Sequence, residues 1–156
     1  MKNNKEDVYQ DLSVAVDAVL GEEKDPLIWM ATLSCLIKEF LKVYWVGFYR
    51  VIPGGDMVIG PYQGSLACLR IKRGRGACGQ AATRGESIVI DDVREFDSHI
   101  SCDPASMSEI VVPVKDLQGR VQAVLDIDST ETGTFDTVDQ AGLEAIVFLM
   151  KGLAWD

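Results

Sequence analysis

Residues 44–62 have the sequence YWVGFYRVIPGGDMVIGPY, and this stretch decides the fold class that we predict for the chain. Residues 44–51 and 57–62 are rich in aromatic and β-branched side chains, which favour strands. The run Pro53-Gly54-Gly55-Asp56 between them is typical of a turn. We therefore predict an antiparallel β-hairpin in this part of the chain.

Two helical patterns precede the hairpin. Residues 6–20 carry apolar side chains at helical spacing, and the pattern ends at Gly21. Asp25-Pro26 predicts a cap followed by proline at the first helical position. Residues 27–41 are apolar on most sides, so we expect a buried helix with Cys35 as a small core residue.

The chain after the hairpin alternates short strands with loops and two further helices. Strands are predicted at residues 69–71, 87–90, 109–114 and 120–127, a short helix at 76–83, a long loop at 92–107, and a last helix capped by Asp136 with Asp139 as its acidic partner. The predicted fold is α+β, with about six antiparallel strands and the N- and C-terminal helices packed on one face. The length of 156 residues fits one domain over residues 1–156.

The charge of the chain excludes several classes of partner. The formal net charge is −9, which gives no electrostatic footprint for nucleic acid or an anionic membrane. The longest basic cluster, residues 70–75, holds four positive charges within this negative total. No apolar stretch reaches the roughly 18 residues of a membrane span, and the N-terminus lacks the apolar core of a signal peptide. We expect a cytoplasmic protein with reduced thiols.

Three cysteines occupy positions unusual for structural cysteines. Cys68, Cys78 and Cys102 lie on predicted loops or at a helix start, with separations of ten and twenty-four residues. This spacing is neither a chelating Cys-x-x-Cys pair nor the framework of a secreted disulfide protein. It favours dithiol redox chemistry, in which one thiol attacks and another resolves.

Local features suggest how two of these thiols are tuned. His99, three residues before Cys102, would lower the thiol pKa when protonated, or it only braces the loop. Cys78 lies at a predicted helix N-terminus, which favours the thiolate, or it is a small residue chosen for packing among glycines. Both alternatives stay open at this point.

Three carboxylates interrupt apolar strands. Glu109 opens one strand, and Asp126 and Asp128, two residues apart on another, project from the same face. They point either into a ligand cavity or into solvent. Because burial of unpaired charges is costly, a buried cluster needs a partner such as the ammonium of a zwitterionic amino acid. Neighbouring carboxylates also raise one another's pKa, so a protonated member can serve as an acid.

An aromatic pair accompanies the carboxylates. Trp45 and Tyr49 are four residues apart on the first strand and share a face. Their spacing alone favours plain core packing, and the alternative is an aromatic wall of a ligand cavity, on which sulfur and methyl groups pack well. Tyr62 and Gln63 are weaker candidates for the same cavity.

Nine motifs follow one another in the order found in a known family. They are residues 45–49 (WVGFY), 60–64 (GPYQG), 67–71 (ACLRI), 74–79 (GRGACG), 91–93 (DDV), 99–103 (HISCD), 108–113 (SEIVVP), 125–129 (LDIDS) and 135–136 (FD). Together, over roughly residues 8–150, the chain closely resembles the free methionine-R-sulfoxide reductases, which are built on a GAF domain. Ser65-Leu66 and Lys72-Arg73 beside Cys68 depart from the family pattern and bear on loop closure and contact with the reductant.

The resemblance implies a reaction and roles for the residues. The expected reaction is the thiol-dependent reduction of free L-methionine-(R)-sulfoxide to methionine. Cys102 is the implied attacker that becomes a sulfenic acid, Cys68 the main resolving partner and Cys78 an auxiliary one. Glu109 and Asp128 are expected to assist catalysis. Substrate binding is expected from Trp45, Tyr49, Glu109, Asp126 and Asp128, with His99 as a modulator.

The resemblance also implies the partners. Thioredoxin with NADPH is the expected external dithiol system, without a bound cofactor or metal, and the protein is expected to be a homodimer. A free amino acid is the expected substrate, because carboxylates that hold an ammonium would reject an uncharged peptide nitrogen.

Three other interpretations remain. A GAF domain can act as a non-catalytic sensor of a small molecule. Cys68, Cys78, Cys102 and His99 have the residue types of a zinc site, although their spacing fits no common zinc module. The chain can also be an interaction module that dimerises through its N-terminal helices, which is compatible with the enzyme.

Overall fold

Six antiparallel strands form one sheet in the computed structural model, which describes residues 4–98 and 102–156. The strands are Trp45–Val51 (β1), Met57–Gln63 (β2), Arg70–Ile71 (β3), Ile88–Ile90 (β4), Ser108–Lys115 (β5) and Val121–Ser129 (β6). Their order across the sheet is β3-β2-β1-β6-β5-β4, with every neighbouring pair antiparallel. The predicted α+β class and the predicted hairpin β1–β2 are confirmed.

Four α-helices accompany the sheet in the described residues. They are Lys5–Leu20 (α1), Pro26–Leu41 (α2), Gly76–Arg84 (α3) and Thr137–Phe148 (α4). A 3-10 turn, Leu149–Gly152, follows α4. A second one, Val93–Glu95, corrects the prediction that residues 92–107 are all loop, because the Asp92 side chain caps it by accepting from the Arg94 backbone N–H. Of the described helices, none has the length and hydrophobicity to cross a membrane.

Side-chain caps explain where the helices begin. Asp25 caps α2 ahead of Pro26, as predicted. Asp136 and Asp139 form the predicted reciprocal capping box of α4. The Tyr9 hydroxyl donates to Asp139 at 2.9 Å, and the Lys5 ammonium pairs with Asp136 at 3.0 Å and with Asp139, so α1 is joined to the start of α4.

One face of the sheet is covered by the N- and C-terminal helices, as predicted. Alternate residues of β1, β5 and β6 point to this face and are almost fully buried against α1, α2 and α4. They are Val46, Phe48, Ile110, Val112, Val114, Ala123, Leu125 and Ile127. This layer is a dry apolar core.

The opposite face carries a second, smaller core under α3. Its buried apolar members from β1, β5 and β6 are Trp45, Tyr49, Val111 and Val124, and they pack with the start of α3 and with residues of β2, β3 and β4. Helix α3 packs closely against the loop that leads into it, because a Cβ at Gly79 would lie 2.8 Å from the backbone of Gly74. The remaining space on this face forms the cavity described below.

Helix α2 is not buried all round, which corrects the prediction for residues 27–41. It packs through Trp29, Met30, Leu33 and Ile37, while Leu27, Ile28 and Cys35 are exposed. The prediction that Cys35 is a core residue is therefore wrong. An apolar composition did not distinguish the face that packs from the face that stays open.

Candidate functional site

A cavity of about 580 Å³, counting its open mouth, lies between the sheet and α3. Its floor is formed by β1, β5 and β6, one side by the start of α3, and the rim by the segments around residues 66–67 and 102–106. The size and largely apolar walls are typical of small-molecule sites. Of the candidate residues named from the sequence, His99 lies outside the described part of the chain and the others lie within it.

The three carboxylates meet on the floor of the cavity. Glu109 of β5 lies opposite Asp128 of β6, and Asp126 is the next residue of β6 on the same face. Glu109 and Asp126 are buried, and all three line the cavity. Oδ1 of Asp126 is buried with no hydrogen-bond partner among the described residues. Oδ1 of Asp126 can therefore accept a hydrogen bond from a cationic or hydrogen-donating ligand.

Burial and mutual repulsion favour the protonated forms of these acids. Burial, followed by the charges of Asp128 and Glu109, raises the pKa of Asp126 well above its ordinary value. Burial and the charge of Glu109 raise the pKa of Asp128 in the same direction. The cluster therefore keeps a proton to a higher pH than exposed carboxylates do, and it can donate this proton to a bound group.

An aromatic wall stands beside the carboxylates. The rings of Trp45 and Tyr49 lie 6.3 Å apart, and Tyr62 stacks on the other side of Trp45 at 5.4 Å. Gly47 makes this possible, because a Cβ there would collide with Tyr62 and Trp45. Tyr62 braces the wall from behind and Gln63 is exposed, so the expectation that these two line the cavity is wrong.

A disulfide joins Cys68 to Cys102 across the rim, with Cα atoms 5.4 Å apart. Cys102 lines the cavity, whereas Cys68 does not. The Tyr49 hydroxyl donates to the carbonyl oxygen of Cys68 at 3.0 Å. Burial and the charge of Asp126 raise the pKa of Tyr49, so this hydroxyl keeps its proton. The resolving pair expected from the resemblance is thus close enough to bond.

Asp103 ties the two rim segments together. It accepts from Ser65 Oγ at 2.6 Å and from the Tyr44 hydroxyl at 2.8 Å. These contacts, with the Ala105 backbone N–H, lower the pKa of Asp103. An ionised Asp103 therefore holds the Cys68 segment over the Cys102 segment.

Cys78 differs from the other two thiols. It is the third residue of α3, but it is buried and close to acids: its sulfur and oxygens of Glu109 and Asp126 all lie within 4.8 Å of one another. Burial, then the charges of Asp126 and Glu109, raises its pKa well above the ordinary value. Of the two alternatives left open for Cys78, its burial and the nearby acids favour the small packed residue over the thiolate at a helix start.

The same three groups have the chemistry of zinc ligands. The zinc set weighed from the sequence was different, namely Cys68, Cys78, Cys102 and His99. In the described part of the chain, Cys68 and Cys102 are bonded to each other and offer no thiolate to a metal. In this disulfide-bonded form, coordination in the cavity would therefore involve the Cys78, Glu109 and Asp126 set instead.

Several residues of the cavity lining were missed by the sequence reasoning, among them Ser106 and Arg75. Ser106 is 6% exposed, and its buried hydroxyl has no hydrogen-bond partner among the described residues. Arg75 is the only basic residue lining the cavity in the described part of the chain. Arg75 had a signal, because it directly precedes a helix start in a glycine-rich loop. Ser106 had none, because its loop has no period.

Comparisons with known proteins agree with this geometry. The GAF domain family profile matches residues 29–150. The chain is 43% identical to the Escherichia coli protein named free methionine-R-sulfoxide reductase, over 92% of this chain and 87% of that protein. It is 32% identical to the Saccharomyces cerevisiae protein of the same name, over 95% and 86%.

A solved structure matches the whole fold. The free methionine-R-sulfoxide reductase from Neisseria meningitidis, determined in complex with its substrate, superposes with a TM-score of 0.92 at 36% identity. The match covers 97% of this chain and 90% of that one, which confirms the GAF-like fold. The chain therefore belongs to the GAF domain family and, within it, to the group of the free methionine-R-sulfoxide reductases.

Proposed function

We propose that this protein reduces free L-methionine-(R)-sulfoxide to methionine with electrons from two of its cysteines. The observation that carries the proposal is the position of Cys102, on the rim of a cavity whose floor holds three clustered carboxylates. The redox-active sulfur of Cys102 thus lies at the edge of a pocket whose acidic floor suits a cation. The relatives and the solved structure that bear the same activity in their names support this choice.

Each end of the substrate has a chemical counterpart in the cavity. The ammonium binds among Glu109, Asp126 and Asp128, where it neutralises carboxylates that otherwise repel each other. The methyl-thio end packs on the rings of Trp45 and Tyr49, since methyl groups and sulfur contact aromatic rings favourably. A peptide-bound residue lacks the ammonium and is excluded.

The substrate carboxylate needs a cationic partner, and Arg75 supplies it. Arg75 makes no side-chain ion pair or hydrogen bond with the described residues, and it lines the same cavity as the acids. The backbone N–H groups of Gly76 and Ala77 begin α3 beside it, where helix geometry leaves amide donors free. A zwitterion thereby bridges the acidic floor and the basic rim.

The reaction proceeds by oxygen transfer to sulfur. The Cys102 thiolate attacks the sulfoxide sulfur while a protonated carboxyl, Asp128 supported by Glu109, donates to the sulfoxide oxygen. The hydroxyl oxygen then passes from the substrate sulfur to the sulfur of Cys102, so the S–O bond of the substrate and the S–S bond formed by the attack both break. Methionine leaves, and Cys102 is a sulfenic acid that carries the transferred oxygen. The Cys68 thiol attacks this sulfur, water leaves, and the disulfide forms. Cys78 is an alternative resolving thiol, and a modulating role for His99 remains a prediction.

Thioredoxin, reduced through NADPH, resets the enzyme by reducing the disulfide, without a bound cofactor. The homodimer expected from the sequence also remains a proposal. The exposed apolar residues Val14 and Val19 of α1 and Leu27 and Ile28 of α2 are the candidate contacts between protomers. Measurement of the molar mass in solution tests it.

The decisive experiment offers the reduced protein separate stereoisomers. NADPH consumption is followed with thioredoxin and its reductase for the free R epimer, the free S epimer and the N-acetylated R epimer. We expect turnover of the free R epimer alone, and its loss in Cys102→Ser. No turnover of any epimer, with thioredoxin or with dithiothreitol, would overturn the proposal and leave a binding domain without catalysis. Equal turnover of the N-acetylated compound would overturn the role of the carboxylates.

A further inference from the structure

The outer side of the rim exposes an apolar surface around Cys68. Leu66 and Leu69 flank this cysteine and are 84% and 71% exposed. Cys68 itself is half-buried. Leu66, Ala67 and Cys102 line the cavity and Cys68 does not, so Cys68 is the end of the disulfide that lies outside the cavity lining.

Positive charge borders this apolar surface. Arg70, Lys72 and Arg73 are exposed. Arg70 follows Leu69 directly, whereas Lys72 and Arg73 follow the buried Ile71 and lie beside Gly55 and Asp56 in the turn between β1 and β2. Lys72 pairs with Asp56 at 3.3 Å, whereas Arg70 and Arg73 have no ion pair within the described residues. The protein as a whole carries a net charge of −9. A local basic border on an acidic protein attracts a partner of opposite local charge and orients its approach.

We propose that this surface, the reductant face formed by Leu66, Leu69, Arg70, Lys72 and Arg73 around Cys68, docks the protein that reduces the disulfide. The partner is a dithiol protein whose reactive cysteine lies in an apolar patch bordered by acidic side chains. The two leucines contact the apolar patch, and the basic border meets the acidic one. This inference rests on the redox cycle proposed above and identifies where its second half takes place.

The docked geometry decides which sulfur is attacked. The partner thiolate attacks Sγ of Cys68, the Cys68–Cys102 bond breaks, and the Cys102 thiolate leaves into the cavity. A mixed disulfide now joins Cys68 to the partner. The second thiol of the partner attacks its own first sulfur, and Cys68 leaves as a thiolate. The partner ends as a disulfide and this protein has gained two electrons, with Cys102 ready for the next substrate.

The test compares a protein reductant with a small one. The oxidised protein is the only disulfide substrate, thioredoxin and its reductase supply electrons, and NADPH oxidation is followed without any sulfoxide. We expect the kcat/KM of thioredoxin for the oxidised protein to fall about five-fold or more in Leu69→Ser. It should fall about ten-fold or more at low salt in Arg70→Glu/Arg73→Glu. Reduction by dithiothreitol should stay within about two-fold of the unsubstituted protein, since a small dithiol needs no docking surface.

Matched variants elsewhere control for loss of an apolar side chain and for added negative charge. Leu117→Ser removes a leucine that is 69% exposed in the turn between β5 and β6. Lys24→Glu/Lys151→Glu makes the same change in net charge away from the rim. Both controls should leave the thioredoxin kcat/KM unchanged. The docking proposal would be overturned if the controls lost as much thioredoxin kcat/KM as the variants of the reductant face. It would also be overturned if the rate of reduction by dithiothreitol fell as much as the thioredoxin kcat/KM.

A trapping experiment tests the direction of attack. Thioredoxin that lacks its second active-site cysteine cannot complete the exchange, so it accumulates as a mixed disulfide. Peptide mapping should find it on Cys68, and a cross-link on Cys102 would overturn the assignment. Because no sulfoxide is present, these outcomes are separate from those of the epimer assay: a protein that reduces no sulfoxide can still show, or fail to show, docking on this face.

Discussion

The two faces of the sheet receive different kinds of side chain from the same strands. On β6, Leu125 and Ile127 point toward the terminal helices, where they are fully buried among other apolar side chains. Asp126 lies between these two residues in the sequence, and Asp128 follows Ile127. Both aspartates point to the opposite face and line the cavity. One strand thus contributes to a dry core and to an acidic site at alternate positions.

The difference teaches how folding and chemistry are separated in this domain. The face under the terminal helices contains matched apolar surfaces that stabilise the fold. The cavity face contains buried acids with raised pKa values, which oppose folding until a ligand neutralises them. We therefore expect substitutions on the first face to change stability and substitutions on the second face to change activity, sometimes with opposite signs.

The largest effect is expected from the attacking thiol. Cys102→Ser should lower turnover of the free R epimer by about 10⁴-fold or more, because a hydroxyl is a poor nucleophile for sulfur. The matched control is Cys35→Ser, an exposed cysteine on the helical side. That variant should keep full activity in the NADPH-coupled assay, and a comparable loss in it would contradict the assignment of the chemistry to the cavity face.

Substitutions on the face under the terminal helices should lower stability and leave activity nearly unchanged. Leu125→Ala should lower the free energy of unfolding by about 2–5 kcal/mol, because it removes a fully buried side chain and leaves a cavity. The activity per folded molecule should change little, since the side chain points away from the site. Urea unfolding and kcat measured on the same preparation check this. A variant that keeps its stability but loses kcat would break the division between the faces.

The neighbouring residue on the cavity face should respond in the reverse sense. Asp126→Asn removes a buried acid whose Oδ1 has no hydrogen-bond partner among the described residues. We expect the free energy of unfolding to rise by about 1–3 kcal/mol at neutral pH. We expect kcat/KM for the free R epimer to fall about ten-fold or more, because a charged partner of the ammonium is lost. Loss of both stability and activity would mean that Asp126 has a structural partner that asparagine cannot replace.

The stability gain in Asp126→Asn should depend on pH. The folded-state pKa of Asp126 is raised, so the folded protein binds more protons than the unfolded chain as pH rises above about 4. The unsubstituted protein therefore loses stability with rising pH through this group. The difference between Asp126→Asn and the unsubstituted protein should be small near pH 4 and grow toward neutral pH in urea titrations.

Asp116, in the turn that precedes the same strand, supplies the matched control. Burial alone would raise its pKa, but hydrogen bonds from the Arg120 backbone, the Gln122 side chain and the Arg120 guanidinium lower it to about 2. Its contribution to stability is present above the unfolded pKa and is lost as pH falls toward 2. Asp116→Asn should therefore be destabilising near neutral pH, with the difference vanishing in acid. If the stability differences of the Asp126 and Asp116 variants changed with pH in the same direction, the contrast between the two aspartates would be contradicted.

Local sequence patterns were sufficient to predict most of the fold. The alternation of β6 predicts that Asp126 and Asp128 share a face, and the caps at Asp25 and Asp136 predict two helix starts within one residue of those observed. The pattern of β6 alone does not predict whether the aspartates point into a cavity or into solvent. The answer depends on the layer that covers this face of the sheet. That layer is α3, and neither its glycine loop nor the two-residue strand β3 indicates which face it covers.

The errors and the open alternatives come from tertiary effects on locally plausible residues. Position at the start of a helix left open a low pKa for Cys78, but the acids that raise it come from β5 and β6. Composition suggested a buried Cys35, but only one side of α2 meets the sheet and α1. Ser106 and Arg75 enter the cavity through the way loops fold over the sheet, for which one sequence has no periodic signal.

The measurement that tests the central claim most directly is a single turnover of the reduced protein. One equivalent of free methionine-(R)-sulfoxide is added without any reductant, and methionine and the state of each cysteine are determined by mass spectrometry of peptides. We predict one equivalent of methionine, a Cys68–Cys102 disulfide, and free thiols at Cys78 and Cys35. Formation of methionine with Cys102 still reduced, or no methionine at all, would contradict the proposal that the cavity face carries the chemistry.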